Sequence, residues 1–384
     1  MIDIEDILKG IEELEIEDFN LEAEEIELGL MPHAIMQSVR KAVEKAKQVE
    51  RKFRFQIPAE SYANRVHEVT LGATSSEGGT RGKTLRIGGE TAPPLYFFEG
   101  KMPNKPIISH DVFDVPFRLP GFVKENFGDA MKDPAEWAKK QVKDFGADMV
   151  TLHLVSTDPN LWNRPAKDAV KTVEDVLQAV KVPIIISGSG NYEKDAEVLT
   201  KAAEAASGER VLISSVSPGM GYETVVKAAV EHNHLILSLV SMDVPGMKQM
   251  NKKIMKGGLP ADRIIMDPNM ASLGYGIEYS ISTMERIRLS ALKGDKDLAM
   301  PIMAGVSNAW SAREAWIKDP ALGPKELRGP LWETITGIIA LFSGTDLYMM
   351  LHPAAIASVK EVINLFWDEK KKPELDYEDW VVMG

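Results

Sequence analysis

The sequence predicts an α/β fold of the (β/α)8 TIM-barrel class, and three observations carry that prediction. From Pro106 onward, β-branched runs alternate with amphipathic helical patterns. Eight such units follow one another with no long low-complexity break. Together they fill residues 106–367, about 260 positions, the usual size of this barrel. An open doubly wound sheet is the competing architecture, but it rarely needs eight evenly spaced units and favours longer apolar strands.

The elements can be justified in chain order. Residues 1–105 read as an N-terminal extension, and 368–384 as a C-terminal tail. Ile11–Leu28 carries nine acids and no base, which reads as a solvated arm or as one that docks on a partner. Residues 34–53 show a helical pattern. "RVHEVTLG" and "GKTLRIGG" are short alternating strands around the turn "ATSSEGGTR", a hairpin expected to cap the closed bottom of the barrel. Barrel strands are expected at 106–114, 148–156, 182–189, 210–217, 234–243, 262–269, 299–308 and 346–353. Helices are expected at 134–145, 168–180, 192–206, 220–231, 246–256, 277–293, 311–318 with 330–343, and 354–366. Asp133-Pro134 places a capping acid before a proline suited to a first helical turn. Gly146, Gly208 and Gly257-Gly258 stand where helices should stop. Ile281, Met284, Ile287 and Leu289 fall near one face of the helix that Glu278 starts.

Composition excludes several function classes. With 44% apolar and 27% charged residues, the chain has the composition of a globular protein. No apolar run reaches the roughly 18 residues that span a bilayer, so no membrane partner is expected. The opening "MIDIEDILKG" lacks a signal-peptide pattern, and a cytoplasmic location is the expectation. A net charge of −12 argues against a nucleic-acid partner. No cysteine is present, which removes disulfides, a thiolate nucleophile and any cysteine-held iron–sulfur cluster from this chain.

In such barrels chemistry sits at the C-terminal strand ends. Those ends read His110, Asp111 and Asp114; His153, Ser156 and Thr157; Ser187 to Asn191; Ser214, Ser215 and Ser217. The remaining ends read Ser241, Met242 and Asp243; Asp267 and Asn269; Gly305, Ser307 and Asn308; and His352. The rim is polar but mild. No strand end carries the lysine of Schiff-base chemistry, and no three carboxylates or histidines fall at metal-ligand spacings such as H-x-H or H-E-x-x-H. His110, His153 and His352 could converge on a metal, although hydrogen-bonded histidines are the commoner case. Asp111, Asp243 and Asp267 could act as general acid or base, or simply bond loop amides. A rim of hydroxyls, amides and glycine backbone suits holding a large, flat, amide-bearing ligand. Tyr192, Met242, Met270, Leu273 and Tyr275 are candidates for the apolar share.

One rim stretch, Ser187-Gly188-Ser189-Gly190-Asn191, begins like the dinucleotide fingerprint G-x-G-x-x-G. Glu193 occupies its third glycine position, so a phosphate cradle is disfavoured.

At these residues a family likeness emerges. "GKTLRIGGETAPPLYFFEG", "PIISHDVFD", "ADMVTLHLVSTDPN", "IIISGSGNYEKDAEVL", "MDPNMASLGYGIEYS" and "PIMAGVSNAW" occur in order from about Glu68 to Trp367. Together they resemble the delta subunit of the archaeal acetyl-CoA decarbonylase/synthase complex, counterpart of the small subunit of the corrinoid iron–sulfur protein. The resemblance implies a barrel that pairs, as a heterodimer within that wider complex, with a larger gamma-type subunit bearing a [4Fe–4S] cluster and a cobamide. It implies methyl transfer between a tetrahydropterin and the acetyl-CoA synthase centre, with no iron–sulfur cluster, metal or catalytic residue on this chain. The residues implied to face the shared cobamide are Asp111, His153, Ser187, Gly188, Ser189, Gly190, Asn191, Ser214, Ser215, Ser241, Asp243, Asp267, Asn269, Gly305, Ser307 and Asn308. The D-x-H-x-x-G motif by which many cobalamin domains ligate cobalt is absent, so this chain is not expected to hold the cofactor alone.

Two other readings stay open. Asp267 and Asn269 in "MDPN" could hold a pterin ring in a free-standing pterin-dependent methyltransferase. The barrel could also be a purely structural subunit.

Overall fold

A computed structural model describes residues 40–41, 58–116 and 119–368. The acidic arm 11–28 and the tail beyond Asp368 lie outside the described residues. So does the expected helix 34–53, apart from the helical Arg40 and Lys41.

Strands β1 (Glu68–Leu71) and β2 (Leu85–Gly88) form an antiparallel hairpin with Val69 opposite Ile87. There follow β3 (Ile107–Phe113), β4 (Met149–His153), β5 (Ile184–Ser187), β6 (Leu212–Val216), β7 (Leu235–Leu239), β8 (Ile264–Asp267), β9 (Met303–Gly305) and β10 (Leu347–Met350). These eight are parallel, and, except for β8 and β9, each is a sheet neighbour of the next in sequence. β10 pairs with both β9 and β3. The circle closes between β8 and the residue before β9, where Met266 bridges Ile302 and its N–H donates to Pro301 O at 2.8 Å.

The outer layer comprises α1 (Gly121–Phe127), α2 (Pro134–Phe145), α3 (Ala166–Ala179), α4 (Tyr192–Ala205), α5 (Tyr222–Glu231), α6 (Val244–Lys256), α7 (Ile277–Leu292), α8 (Lys325–Phe342) and α9 (Pro353–Trp367). Helix punctuation follows the sequence. Asp133 accepts from Ala135 N at 2.8 Å, and Gly146, just past α2, has the left-handed φ of 61° that favours glycine.

Strands covered on both faces carry near-continuous apolar runs. In β5, Ile184 and Ile186 pack outward against the helices, while Ile185 joins an inner cluster. That cluster also holds Met149, Leu212, Leu235, Ile265, Met303 and Leu347, all from the first or second residues of their strands. Val69, Leu71 and Ile87 of the hairpin belong to the same cluster, so the hairpin plugs the N-terminal end of the barrel.

Polar contacts fasten the plug. Gly72 N donates to Arg210 O at 2.9 Å and Gly82 N to Lys181 O at 2.7 Å. Arg81, 3% exposed, donates to Leu177 O in the last turn of α3 and to Val180 O at its C-cap, and pairs with Glu209 at 2.7 Å. A cation at a helix C-terminus meets the negative end of its dipole.

Four expectations need correction. Residues 311–318 are not an α-helix: Val306–Ser311 and Arg313–Ala315 are short 3-10 turns, which also end β9 at Gly305. The following helix starts at Lys325 rather than Pro330, so the proline lies inside it instead of opening it. α1, in the loop after β3, was not anticipated. Leu289 is 40% exposed, whereas Met284 and Ile287 on the same helix are fully buried.

Ile87→Ala empties space in the inner cluster and is expected to cost about 2–5 kcal/mol in denaturant unfolding. A loss below about 0.5 kcal/mol would show that the plug is not packed as described.

Candidate functional site

Side chains alternate along each strand, so the inward positions can be followed up the barrel. Above the apolar floor, Ser109 and Thr151 meet hydroxyl to hydroxyl at 2.7 Å. One step higher lie Asp111 and His153. Asp111 is fully buried, and His153 Nε2 sits 3.0 Å from its Oδ1. The distance suits an ion pair, but the donor is not aligned, and neither Asp111 oxygen has a hydrogen-bond partner among the described residues. His153 also stacks on Phe113, with ring centroids 4.8 Å apart.

The Ser187–Asn191 loop resolves the fingerprint question. Asp195, in the first turn of α4, reaches back with both carboxylate oxygens. Oδ1 accepts from Ser189 N and Ser189 Oγ, and Oδ2 from Gly190 N, each at 2.8 Å. Gly188 is glycine for space, because a Cβ there would lie 2.5 Å from the Asp195 carboxyl carbon. Asn191 Oδ1 caps α4 by accepting from Lys194 N at 3.1 Å. The amides that resemble an anion cradle already serve an internal anion. Burial pushes the Asp195 carboxyl up, against the pull of its three donors.

From β6 to β9 the rim is more open. Ser214 is buried with its hydroxyl 3.3 Å from that of half-buried Ser215. Asp243 is exposed and caps α6 through Gly246 N at 3.1 Å. Asp267, half-buried at the end of β8, accepts from Asn269 N at 2.8 Å on Oδ1. Burial outweighs that single donor and raises its pKa to about 7. Asn269, at φ 69°, donates from Nδ2 to Ser241 Oγ at 3.0 Å. Asn308 is exposed beyond Gly305 and half-buried Ser307, and its Nδ2 donates to Met270 O at 3.1 Å. Tyr192 and Tyr275 are exposed at 45% and 47%, but Met270 is buried and faces away from the rim.

The three histidines do not converge. His110 turns outward to Gln141 of α2 at 3.1 Å, and burial lowers its pKa to about 4. His352 caps α9, accepting at Nδ1 from Ala354 N at 3.2 Å while Nε2 lies 3.3 Å from Asn126 Nδ2. Among the described residues, no group of three metal-capable side chains comes together.

Sequence reasoning missed the brace behind this sector. Glu333 of α8, fully buried, accepts from Leu351 N, from His352 N at 3.0 Å and from Trp310 Nε1 at 2.8 Å. Burial raises it to about 7 despite those donors. Trp310 stacks on His352 and touches Phe122, tying together the loops after β3, β9 and β10. Gly329 leaves room for the indole, since a Cβ would lie 2.3 Å from it. An acid inside an apolar helical pattern was the only signal for Glu333. For Asp195 the signal was an acid five positions after a glycine turn.

Gly188→Ala drives a methyl into the Asp195 carboxylate and is expected to cost about 1–3 kcal/mol by denaturant melts. Wild-type stability there would show that the loop does not depend on Asp195. Asp267 supplies a pH test. Its folded pKa lies above the ordinary value, so its contribution is present at low pH and is lost as pH rises through about 7. Asp267→Asn is therefore expected to gain about 1–3 °C in Tm relative to wild type between pH 5 and pH 8. A gain in the opposite sense would contradict a buried, proton-retaining Asp267.

Comparison with known proteins places this geometry. A family model described as CO dehydrogenase/acetyl-CoA synthase delta subunit matches residues 68–319. The chain is 48% identical over 337 residues to an acetyl-CoA decarbonylase/synthase complex subunit delta of Archaeoglobus fulgidus, covering 86% of this chain and 75% of that one. It is 44% identical over 379 residues to the subunit delta of Methanothermobacter thermautotrophicus, covering 98% and 95%. Among solved structures, a Xanthomonas albilineans dihydropteroate synthase with 4-aminobenzoic acid aligns at TM-score 0.49 and 13% identity, over 71% of this chain and 96% of that one. The barrel itself is read from its strand pairing and not from that likeness. With the family model spanning most of the barrel and relatives matching nearly the whole chain, this chain belongs to the delta-subunit family of the acetyl-CoA decarbonylase/synthase complex.

Proposed function

We propose that the chain pairs as a heterodimer with a larger iron–sulfur/cobamide subunit and covers the cobamide with its barrel mouth. In that role it supports methyl transfer between a tetrahydropterin and acetyl-CoA synthase. The chain is then a clamp and assembly subunit, and the complex carries the reaction.

The observation that supports this reading is how the rim's polar groups are committed. Both ring nitrogens of His352 are engaged, His153 Nε2 faces Asp111, and His110 points away from the mouth. His352 and His110 are committed to protein partners, and His153 turns its Nε2 to Asp111, so none is aimed at cobalt in this scheme. What faces outward is Ser187, Ser215, Ser307, Asn308 and the outer oxygen of Asp267, groups suited to the carboxamide periphery of a corrin. The residues fit holding such a ring by its edge. When bound, the cobamide would supply the methyl-carrying centre.

The chain's own residues position and shield. Glu333 and Trp310 hold one sector of the mouth still, Asp195 holds the β5 loop, and Asn269 ties the loop after β8 to Ser241. No cysteine is available to hold a cluster, so that centre belongs to the partner in this scheme.

A second reading has one specific observation in its favour. Asp267 and Asn269 lie together at the end of β8, as a pterin site in a free-standing methyltransferase would need. The two readings separate on the isolated chain. Alone it is expected to retain no corrinoid absorbance, and with the cobamide-loaded large subunit it should form a tight 1:1 complex. Stoichiometric cobamide on the isolated chain would overturn the clamp reading, and stoichiometric reduced pterin would favour the alternative.

A further inference from the structure

The free hydrogen-bonding groups of the mouth are distributed unevenly. On the β5 side, Asp195 consumes the Ser189 and Gly190 amides together with the Ser189 hydroxyl. Asn191 N donates to Ser189 Oγ at 3.3 Å. That side offers few N–H donors to a ligand.

The β7–β9 side is the reverse. Met270 O can only accept, so the Asn308 amide must turn its NH2 inward and its Oδ1 outward. Asp267 Oδ1 is held by Asn269 N, which leaves Oδ2 with no partner among the described residues. Asn269 donates from Nδ2 to Ser241, and its own Oδ1 is left to accept. The loop after β8, which carries Asn269, is fixed from behind. Fully buried Ser280 donates to Asn269 O and accepts from Ala271 N, both at 2.9 Å.

Three acceptor oxygens on two loops, the one after β8 braced by Ser280, are preorganised for N–H donors, and above about pH 7 an anion would find the Asp267 carboxylate instead of amides. We infer that Asp267, Asn269 and Asn308 form an acceptor subsite that recognises primary carboxamide N–H2 groups on the periphery of the bound ligand. The acceptors lie on two loops, after β8 and after β9, so they suit separate amides spaced around a ring rather than the single planar edge of one small heterocycle. This rests on the clamp reading above and adds to it which sector of the mouth reads the ring.

The test uses the full chain and the large subunit, loaded either with cobalamin or with cobalamin in which one peripheral amide is hydrolysed to the acid. Association is measured by calorimetry at pH 8, where Asp267, with its pKa of about 7, is ionised and its Oδ2 accepts. Asp267→Asn keeps the acceptor for Asn269 N but presents an N–H2 where Oδ2 was, and Asn308→Ala removes the other oxygen. Each is expected to weaken binding of the cobalamin-loaded partner about tenfold and to leave the cobamide-free partner unaffected. For the matching amide, the wild type should lose a similar factor with the acid derivative, and the variant should lose nothing further. Thermal melts of the variants establish that they are folded, and Asn308→Asp serves as a second variant at that position.

If both variants bind like wild type while association still depends on cobalamin, this inference fails and the clamp reading stands. If association is indifferent to cobalamin, both fail. If the isolated chain binds a tetrahydropterin and Asp267→Asn abolishes it, the carboxamide assignment is overturned.

Discussion

A parallel eight-stranded barrel has two ends, and the inward side chains at each must be either packed or put to use. Here the N-terminal end is packed. Val69, Leu71 and Ile87 of the hairpin complete an apolar floor with the first or second residues of seven strands. Burial of that floor is driven by removing apolar surface from water. The pairing of Met266 with Ile302, the narrowest seam of the sheet, lies close above it. With one end stoppered, polarity rises along the axis, from Leu and Ile through the Ser109–Thr151 layer to Asp111 and the rim. The mouth is where the inward polar residues reach solvent.

At the rim, buried carboxylates do the organising. Asp195 and Glu333 each gather several N–H groups that the strand-to-helix turns would otherwise leave unsatisfied. A buried unpaired donor costs about 1–3 kcal/mol, so removing either acid would leave several loop N–H groups unsatisfied. The same residues remove backbone donors from the ligand's reach. What remains outward is a set of acceptors and hydroxyls on a chain of net charge −12, a surface that disfavours anionic ligands.

Much of the fold was legible because barrel strands and helices have distinct periods. All eight strands and the hairpin fell where β-branched runs and turn residues put them, within a few positions. The failures share one cause. Around residues 299–330 the chain uses 3-10 turns, which have no strong period, and Pro330 suggested a helix start because proline suits that position. The likeness to the delta-subunit family was readable from ordered motifs across the barrel. The site was legible only as residue types at strand ends. Ser189 and Asn191 proved to be committed to Asp195 and to capping α4, because a first-turn acid gives no sign of which way it reaches. Glu333 lies far in sequence from the loops it braces, and no local pattern reveals such a contact.

The mouth, and no other face, is the surface we propose meets the partner's cobamide. Hydrogen–deuterium exchange on the full chain, with and without the cobamide-loaded large subunit, addresses it directly. Protection is expected in the loops after β5 to β9, at 188–191, 217–221, 240–243, 268–276 and 306–311, and only when the partner carries its cobamide. Protection centred on the β1–β2 hairpin, or equal protection by a cobamide-free partner, would contradict it.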